Sequence, residues 1–144
     1  MDKETFDDYF ENRYKKQMAY YHKASGENQN KYKYLQWTLI ILSASTPVLA
    51  AINSDSQAVK ILLVVISAIV AILTTGLKTF NYQETWVNYR KTYEQLKPEI
   101  YYYRFRIGDY ATAIDKEALF VTRVEAILDK EHEQWPPAKK LQQD

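Results

Sequence analysis

The sequence contains no cysteine among its 144 residues, which excludes a disulfide framework, a thiolate metal site and a cysteine nucleophile. Glycine and proline are scarce, with three and four copies, and a chain with so few helix breakers favours long helices. Acidic and basic residues nearly balance, which gives a formal net charge of +1. Because nucleic-acid binding needs an excess of positive charge, we expect no nucleic-acid partner.

Charged residues are also missing from the middle of the chain, although they crowd both of its ends. None occurs in residues 34–54 or in residues 61–77. A membrane span needs about 17–25 apolar residues, and both segments reach that length. The second segment has apolar residues on every face, whereas a core helix of a soluble protein normally keeps a charged face. These segments predict an all-α membrane protein with spans over 34–54 and 61–80 and an extracytoplasmic turn over 55–60.

Basic residues place both chain ends on the same side of the predicted membrane. Lys31 and Lys33 precede the first span, Lys78 and Arg90 follow the second, and the turn side offers Lys60 alone. Positive residues mark the cytoplasmic side of a span, and a short turn makes consecutive spans antiparallel neighbours. We therefore expect a multi-pass protein of the plasma membrane, surrounded by the lipid bilayer, with both termini in the cytoplasm.

An apolar seam at coiled-coil spacing follows the second span. Its members recur in steps of four and three and are Tyr82, Trp86, Tyr89, Tyr93, Leu96, Ile100 and Tyr103, followed by Ile107. Because neither glycine nor proline occurs between Leu77 and Pro98, the second span is predicted to continue as a cytoplasmic stalk over residues 81–107. Pro98 either kinks this stalk or begins a new helix, and the sequence leaves both alternatives open.

Two further segments complete a predicted cytoplasmic bundle. Residues 1–33 form an N-terminal helix with an apolar stripe, which the polar residues 25–30 are expected to interrupt before the first span. Residues 108–135 form a C-terminal helix in which Asp115 can act as a cap, and residues 136–144 are predicted to be a flexible tail. The expected fold is thus a two-span transmembrane helical hairpin with a cytoplasmic bundle of three helices.

Signatures of catalysis and of cofactor binding are absent from the sequence. His22 and His132 stand apart from any ligand pattern, and Glu94 and Glu99 are interpreted as solvated carboxylates on a helix surface. No glycine-rich phosphate loop, nucleophile elbow or paired-carboxylate arrangement occurs. Neither span carries the ionisable residue that a proton relay or coupled transporter needs. We expect no enzymatic activity, no cofactor and no metal.

The second span carries small and hydroxyl residues on one face. Ser67, Ala71, Thr74 and Lys78 recur in steps of four, three and four, so they line up along an α-helix. Such residues either let helices pack closely or line a polar path through the membrane, and the sequence leaves both interpretations open. One hairpin cannot enclose a path, so the second interpretation requires a homo-oligomer.

Several motifs of the chain resemble the SLATT family, two-transmembrane domains found beside bacterial nucleotide-signalling and conflict systems. These motifs are Trp86-x-x-Tyr89-Arg90, Leu96-Lys97-x-Glu99, Gly108-Asp-Tyr110 and Phe120-Val-x-Arg123-Val-Glu125-x-Ile127. The resemblance covers roughly residues 13–135. It implies a membrane effector that forms pores or perturbs membranes when a separate partner triggers it, and it transfers no catalytic residue.

Two functions from different classes follow from the sequence. The first is an oligomeric channel or pore-type effector that passes ions, with the polar face of the second span as its lining. The alternative is a non-conducting membrane-anchored scaffold whose cytoplasmic helices bind a partner protein. No motif encodes the ion, the trigger or the number of subunits.

Overall fold

The computed structural model describes residues 1–52 and 55–133, and within these residues the chain is helical without a strand, which confirms the predicted all-helical class. The elements are α1 (Lys3–Tyr9), a π-helical turn (Phe10–Tyr14), α2 (Lys15–Ala51), α3 (Gln57–Phe80), α4 (Tyr82–Leu96), α5 (Glu99–Phe105), a 3-10 turn (Gly108–Ala111) and α6 (Lys116–Glu133). They divide into two compact units. We call residues 27–86 the apolar hairpin, and residues 1–26 with the described residues from Val87 onward the bundle.

An aromatic core holds the bundle together. The Phe120 ring of α6 lies at its centre, with ring centroids 5.7 Å from Phe6, 5.0 Å from Tyr14 and 5.4 Å from Tyr103. Aromatic pairs at such distances each contribute about 0.5–1.5 kcal/mol beyond the burial of their surface. Phe120 is fully buried together with Tyr21, Leu96, Tyr110, Val124 and Leu128. This core fixes α1, α5 and α6 around the first turns of α2.

The expected interruption at residues 25–30 is wrong, because α2 runs without a break from Lys15 to Ala51. A glycine inside a helix costs about 1 kcal/mol relative to alanine, so Gly26 alone does not end one. Tyr21 and Ser25 are buried on the same helix, and helices in proteins draw most of their stability from such packing. Tertiary packing therefore outweighs the weak local propensity of this segment.

The sequence predicts that the second span continues into a stalk, but in the structure it does not. Helix α3 ends at Phe80, because Asn81 adopts a left-handed conformation with φ of 48°. Asparagine is the residue besides glycine that enters this conformation most readily, and it often ends helices in this way. The seam of residues 81–107 is consequently divided between α4 and α5.

Pro98 begins a new helix, which decides between the two alternatives that the sequence left open. Helix α4 ends at Leu96, and α5 starts at Glu99 directly after the proline. Helix α5 then ends at Phe105, since Arg106 has a φ of 52°. Ile107 therefore lies beyond the helix and is exposed.

Other segment bounds also differ from those predicted. Helix α3 begins at Gln57, so most of the predicted turn over 55–60 is helical. The predicted helix over 108–135 is a 3-10 turn followed by α6. The Asp115 carboxylate accepts a hydrogen bond from the Ala118 amide at 2.9 Å, which confirms the predicted cap. Residues 53–54 of the first span, and residues 134–144 with the predicted tail, lie outside the described residues.

Helices α2 and α3 are both long and apolar enough to cross a membrane. In α2, no part of the most apolar 18-residue segment is buried, and in α3 6% of the corresponding segment is buried. A core helix of a soluble protein buries most of such a segment. The apolar surface of these two helices therefore lies outside the core that the chain builds for itself.

Candidate functional site

Helix α3 presents three different surfaces along its length. The first, which we call the hairpin face, is half-buried or buried and consists of Leu63, Ile66, Val70, Leu73 and Leu77. The second, the aliphatic sector, is exposed and consists of Ile61, Val65, Ile69 and Ile72. The third, the polar stripe, is exposed and consists of Lys60, Ser67, Ala71, Thr74 and Lys78, with the aliphatic Val64 on the same line between Lys60 and Ser67. The apolar half of α2 belongs to the same compact unit as α3.

The polar stripe places together all four residues that the sequence singled out on the second span, and it adds Lys60. Lys60 and Lys78 stand about five helical turns apart, so they point in the same direction at the two ends of α3. The Ser67 hydroxyl donates to the Leu63 carbonyl and the Thr74 hydroxyl to the Val70 carbonyl, each at 2.8 Å. Their hydrogens are thereby satisfied within the helix, while the hydroxyl oxygens still face outward as acceptors.

The predicted seam packs into the chain's own bundle over its second half. Tyr89 and Leu96 belong to the bundle core, with 5% and 0% of their surfaces exposed. Tyr93, Ile100 and Tyr103 pack against that core while staying partly exposed. Tyr82 and Trp86 belong to the apolar hairpin, where they are half-buried. The core positions of the seam are thus covered without a second copy of the chain.

A buried carboxylate that the sequence interpretation missed connects three elements of the bundle. Glu99, predicted to be solvated, is 4% exposed. The Tyr110 hydroxyl donates to its Oε2 at 2.8 Å, and Arg123 donates through Nε and Nη2 at 3.2 Å. Arg123 also donates to the Asp109 carboxylate at 2.7 Å. Buried charges persist in proteins when they are paired and hydrogen-bonded, which is the case for Glu99. Glu94, by contrast, is exposed as predicted and pairs with Arg90 one turn away.

The same combination of one carboxylate, one arginine and one tyrosine recurs at Glu125 on α6. Arg13 donates to its two oxygens at 3.0 and 2.9 Å, and the Tyr9 hydroxyl donates to it at 2.7 Å. These charge-assisted hydrogen bonds tie the N-terminal turns of the chain to α6. In a related contact without arginine, the buried Tyr21 hydroxyl donates to Glu131 at 2.8 Å. The bundle is thus stabilised by tyrosine hydroxyls that donate to carboxylates.

This network makes the stability of the bundle depend on pH at both ends of the scale. Burial raises the pKa of Tyr14 to about 12, and burial with the Glu117 hydrogen bond raises the pKa of Tyr103 to about 12. At the acidic end, the hydrogen bond from Arg13 lowers the pKa of Glu125. The tyrosines therefore stabilise the fold up to their unfolded pKa near 10, and Glu125 stabilises it above its ordinary pKa.

We expect the melting temperature of the bundle to fall as the pH rises from about 10 to 12, because the unfolded state then releases tyrosine protons that the folded state retains. Thermal unfolding followed by circular dichroism at stepped pH would measure this. The part of the tyrosinate absorbance that comes from the buried tyrosines should appear together with unfolding. Full ionisation of the tyrosines near pH 10 with no loss of helix would contradict the buried network.

No group of three or more histidine, aspartate or glutamate side chains is placed to hold a metal ion within residues 1–52 and 55–133. His22 is exposed and lies beside the Tyr93 ring, with centroids 4.9 Å apart. The two features that stand out are the polar stripe of the apolar hairpin and the carboxylate network of the bundle.

Comparisons with known proteins give one family and no characterised relative. Residues 16–118 match the family model described as "Protein of unknown function (DUF4231)". No curated protein and no solved structure gives a significant match. The family match runs from the start of α2 through the apolar hairpin, α4 and α5 to the first turn of α6. Because it covers more than half of the chain, the protein belongs to the DUF4231 family of proteins of unknown function.

Proposed function

We propose that this protein is a two-span membrane protein of the plasma membrane, with both termini in the cytoplasm, that assembles into a homo-oligomeric ion channel or pore. The polar stripe of α3 lines the path, the aliphatic sector contacts lipid, and the bundle lies in the cytoplasm. The resemblance to the SLATT family motivates the same function. Lys78 at the cytoplasmic end gives the path a preference for anions.

The membrane location is supported by the exposure of the two apolar helices. Large aliphatic side chains on them, such as Ile41, Val48 and Ile72, are 62%, 61% and 70% exposed. Exposed apolar surface of this extent marks a surface that is covered by lipid or by another protein. The lysines that precede α2's apolar half and follow α3 favour the cytoplasmic orientation.

The observation that carries the channel function is the division of α3 into three surfaces. A lone hairpin in lipid would need the hairpin face and an aliphatic surface on all other sides. Instead, the polar stripe leaves two hydroxyls, a small residue and two lysines exposed along one side of the helix. In an assembly of several copies, each stripe can face the stripes of its neighbours and remain in contact with water.

The orientation predicts which cysteines react with reagents that cannot cross the membrane. Since the chain has no cysteine of its own, single replacements label one position each. We expect Asp55→Cys, in the link before α3, to react with an impermeant maleimide in whole cells. Asp129→Cys on α6, equally exposed, should react only after the cells are permeabilised. The reverse pattern would overturn the orientation.

The lining predicts different effects for two neighbouring positions of α3. Ala71 lies in the polar stripe, whereas Ile72 lies in the aliphatic sector, about 100° away around the helix at the same depth. We expect Ala71→Trp to abolish ion flux from proteoliposomes, because an indole fills the path. The matched variant Ile72→Trp places its indole in lipid and should conduct like the parent chain.

The mass of the purified oligomer separates the two interpretations of the stripe. An Ala71→Trp variant that keeps the parent's mass but loses flux supports a lined path. If this variant dissociates into monomers, the small residues serve helix packing, and the stripe is not a lining. Equal flux from both tryptophan variants would contradict the lining, even if a channel exists elsewhere. Absence of flux from the parent oligomer would favour the alternative function, a membrane-anchored scaffold for a protein partner.

A further inference from the structure

The outer face of α5 carries aromatic and basic side chains. Tyr101 and Phe105 are 51% and 70% exposed, and Arg104 shares their side of the helix because positions three and four apart lie together. Lys97 is exposed in the turn between α4 and α5. Arg106 follows at the end of α5 and is also exposed. No carboxylate among the described residues forms an ion pair with these three cations. This face, which we call the basic face, is defined by these five residues.

The outer face of α1 is acidic. Glu4, Asp7 and Asp8 are exposed and point away from Phe6, which is buried in the core. The Asp8 carboxylate accepts a hydrogen bond from the Asn12 side chain at 2.6 Å. None of the three acids forms an ion pair within residues 1–52 and 55–133. We call these three residues the acidic face.

The core of the bundle shows how such side chains combine in this protein. Glu125 and Glu99 each accept hydrogen bonds from an arginine and from a tyrosine. The basic face displays the donor half of this combination, an arginine pair beside a tyrosine. The acidic face displays the acceptor half. The two faces belong to different helices of one bundle and each points outward from their shared core.

We propose that the acidic face of one copy docks on the basic face of the next copy in the oligomer. The inference rests on the proposed function in one respect, since it requires that the chain self-associates. A contact between two different surfaces of identical chains is head-to-tail, and it closes into a ring when the rotation between copies permits. Such a ring in the cytoplasm holds neighbouring hairpins side by side. Phe105 supplies apolar surface at the edge of the contact, and the charges choose the partner face.

Charge reversal with rescue tests this contact directly. In the full chain in detergent, Arg104→Glu with Arg106→Glu, or Asp7→Lys with Asp8→Lys, should each weaken the oligomer roughly tenfold or more, because like charges then meet. Combining all four reversals should restore the mass of the parent oligomer. Mass photometry over a range of dilutions gives the dissociation constant of the oligomer. Lys91→Glu with Lys130→Glu, which reverses two exposed cations outside the basic face, is the matched control and should leave the mass unchanged.

Cross-linking gives the second readout. The chain has no cysteine, so Asp8→Cys and Arg104→Cys can be made separately, mixed and joined by a short bis-maleimide. We expect covalent dimers in the mixture and none from either variant alone. Dimers of Arg104→Cys with itself would show a two-fold contact and overturn the proposal. Failure of the four reversals to restore the mass would overturn it as well.

Neither readout measures ion flux, so the two proposals fail separately. A cross-linked, rescued oligomer that never conducts would leave the contact in place and remove the pore. An oligomer that conducts, keeps its mass under every charge reversal and yields no mixed dimer would leave the pore and remove this contact. If anionic vesicles of phosphatidylglycerol dissociate the oligomer and phosphatidylcholine vesicles do not, the basic face binds lipid. That result would overturn the proposal.

Discussion

Replacing Glu99 by alanine is expected to lower the free energy of unfolding of the bundle by roughly 2–4 kcal/mol. The substitution removes a carboxylate that is 4% exposed and that accepts hydrogen bonds from Tyr110 and Arg123. The buried Tyr110 hydroxyl then loses its acceptor, and Arg123 keeps Asp109 alone. Hydrogen–deuterium exchange of α6 amides in nanodiscs measures the loss, because these amides exchange through opening of the bundle.

Glu94→Ala is the matched control for this experiment, because Glu94 lies on the neighbouring helix and is also paired with an arginine. Its side chain is 46% exposed, and its pair with Arg90 is a surface contact one helical turn apart. Such pairs contribute about 0.3–0.5 kcal/mol. We expect exchange in Glu94→Ala to match that of the parent chain. Equal effects of the two substitutions would mean that Glu99 is as solvated as Glu94.

Leu96→Asp should destabilise the bundle strongly. Leu96 is fully buried, and burying a leucine side chain contributes about 1.5–3 kcal/mol. The aspartate adds the cost of a charge without a partner, which amounts to several kcal/mol. The sum is comparable to the whole stability of a small domain, about 5–15 kcal/mol. We therefore expect loss of the bundle, seen as rapid exchange of α4, α5 and α6 amides.

Val87→Asp controls for the introduction of an aspartate into α4. Val87 is 44% exposed, so its carboxylate stays in water and the bundle should melt as in the parent chain. A Leu96→Asp variant that melts like Val87→Asp would show that the seam is not a packing surface.

The parts of the fold that the sequence predicts are those with a strong periodic pattern. The two apolar helices follow from long uncharged segments, and Leu96 and Tyr89 follow from the spacing of the seam. The break at Asn81 was harder to predict, because Asn81 ends its helix in a left-handed conformation with no glycine or proline among the four residues on either side. Arg106 adopts the same conformation two residues before Gly108. Only the surroundings of a residue decide whether asparagine or arginine adopts it.

The buried carboxylate network was not predicted, because charged residues on a helix were interpreted as exposed to solvent. A signal for one member exists in the sequence, since Glu131 continues the apolar stripe of Phe120, Val124 and Leu128 at steps of four, four and three. All four are buried in the structure. Glu99 offered no such signal, because its acceptor role depends on Tyr110 and Arg123, which reach it from separate elements. A carboxylate on an apolar stripe, close to tyrosines, is the pattern to look for.

Single-channel recording shows whether the polar stripe lines an ion path in an oligomer. Purified parent chain in a planar bilayer should give discrete current steps. In a salt gradient, the reversal potential should lie toward the equilibrium potential of the anion. Lys78→Glu should move the reversal potential toward the equilibrium potential of the cation, because the charge at the cytoplasmic end of the path is reversed. A bilayer that contains intact oligomer and passes no current at any voltage would contradict the channel function. A reversal potential that Lys78→Glu leaves unchanged would contradict the lining.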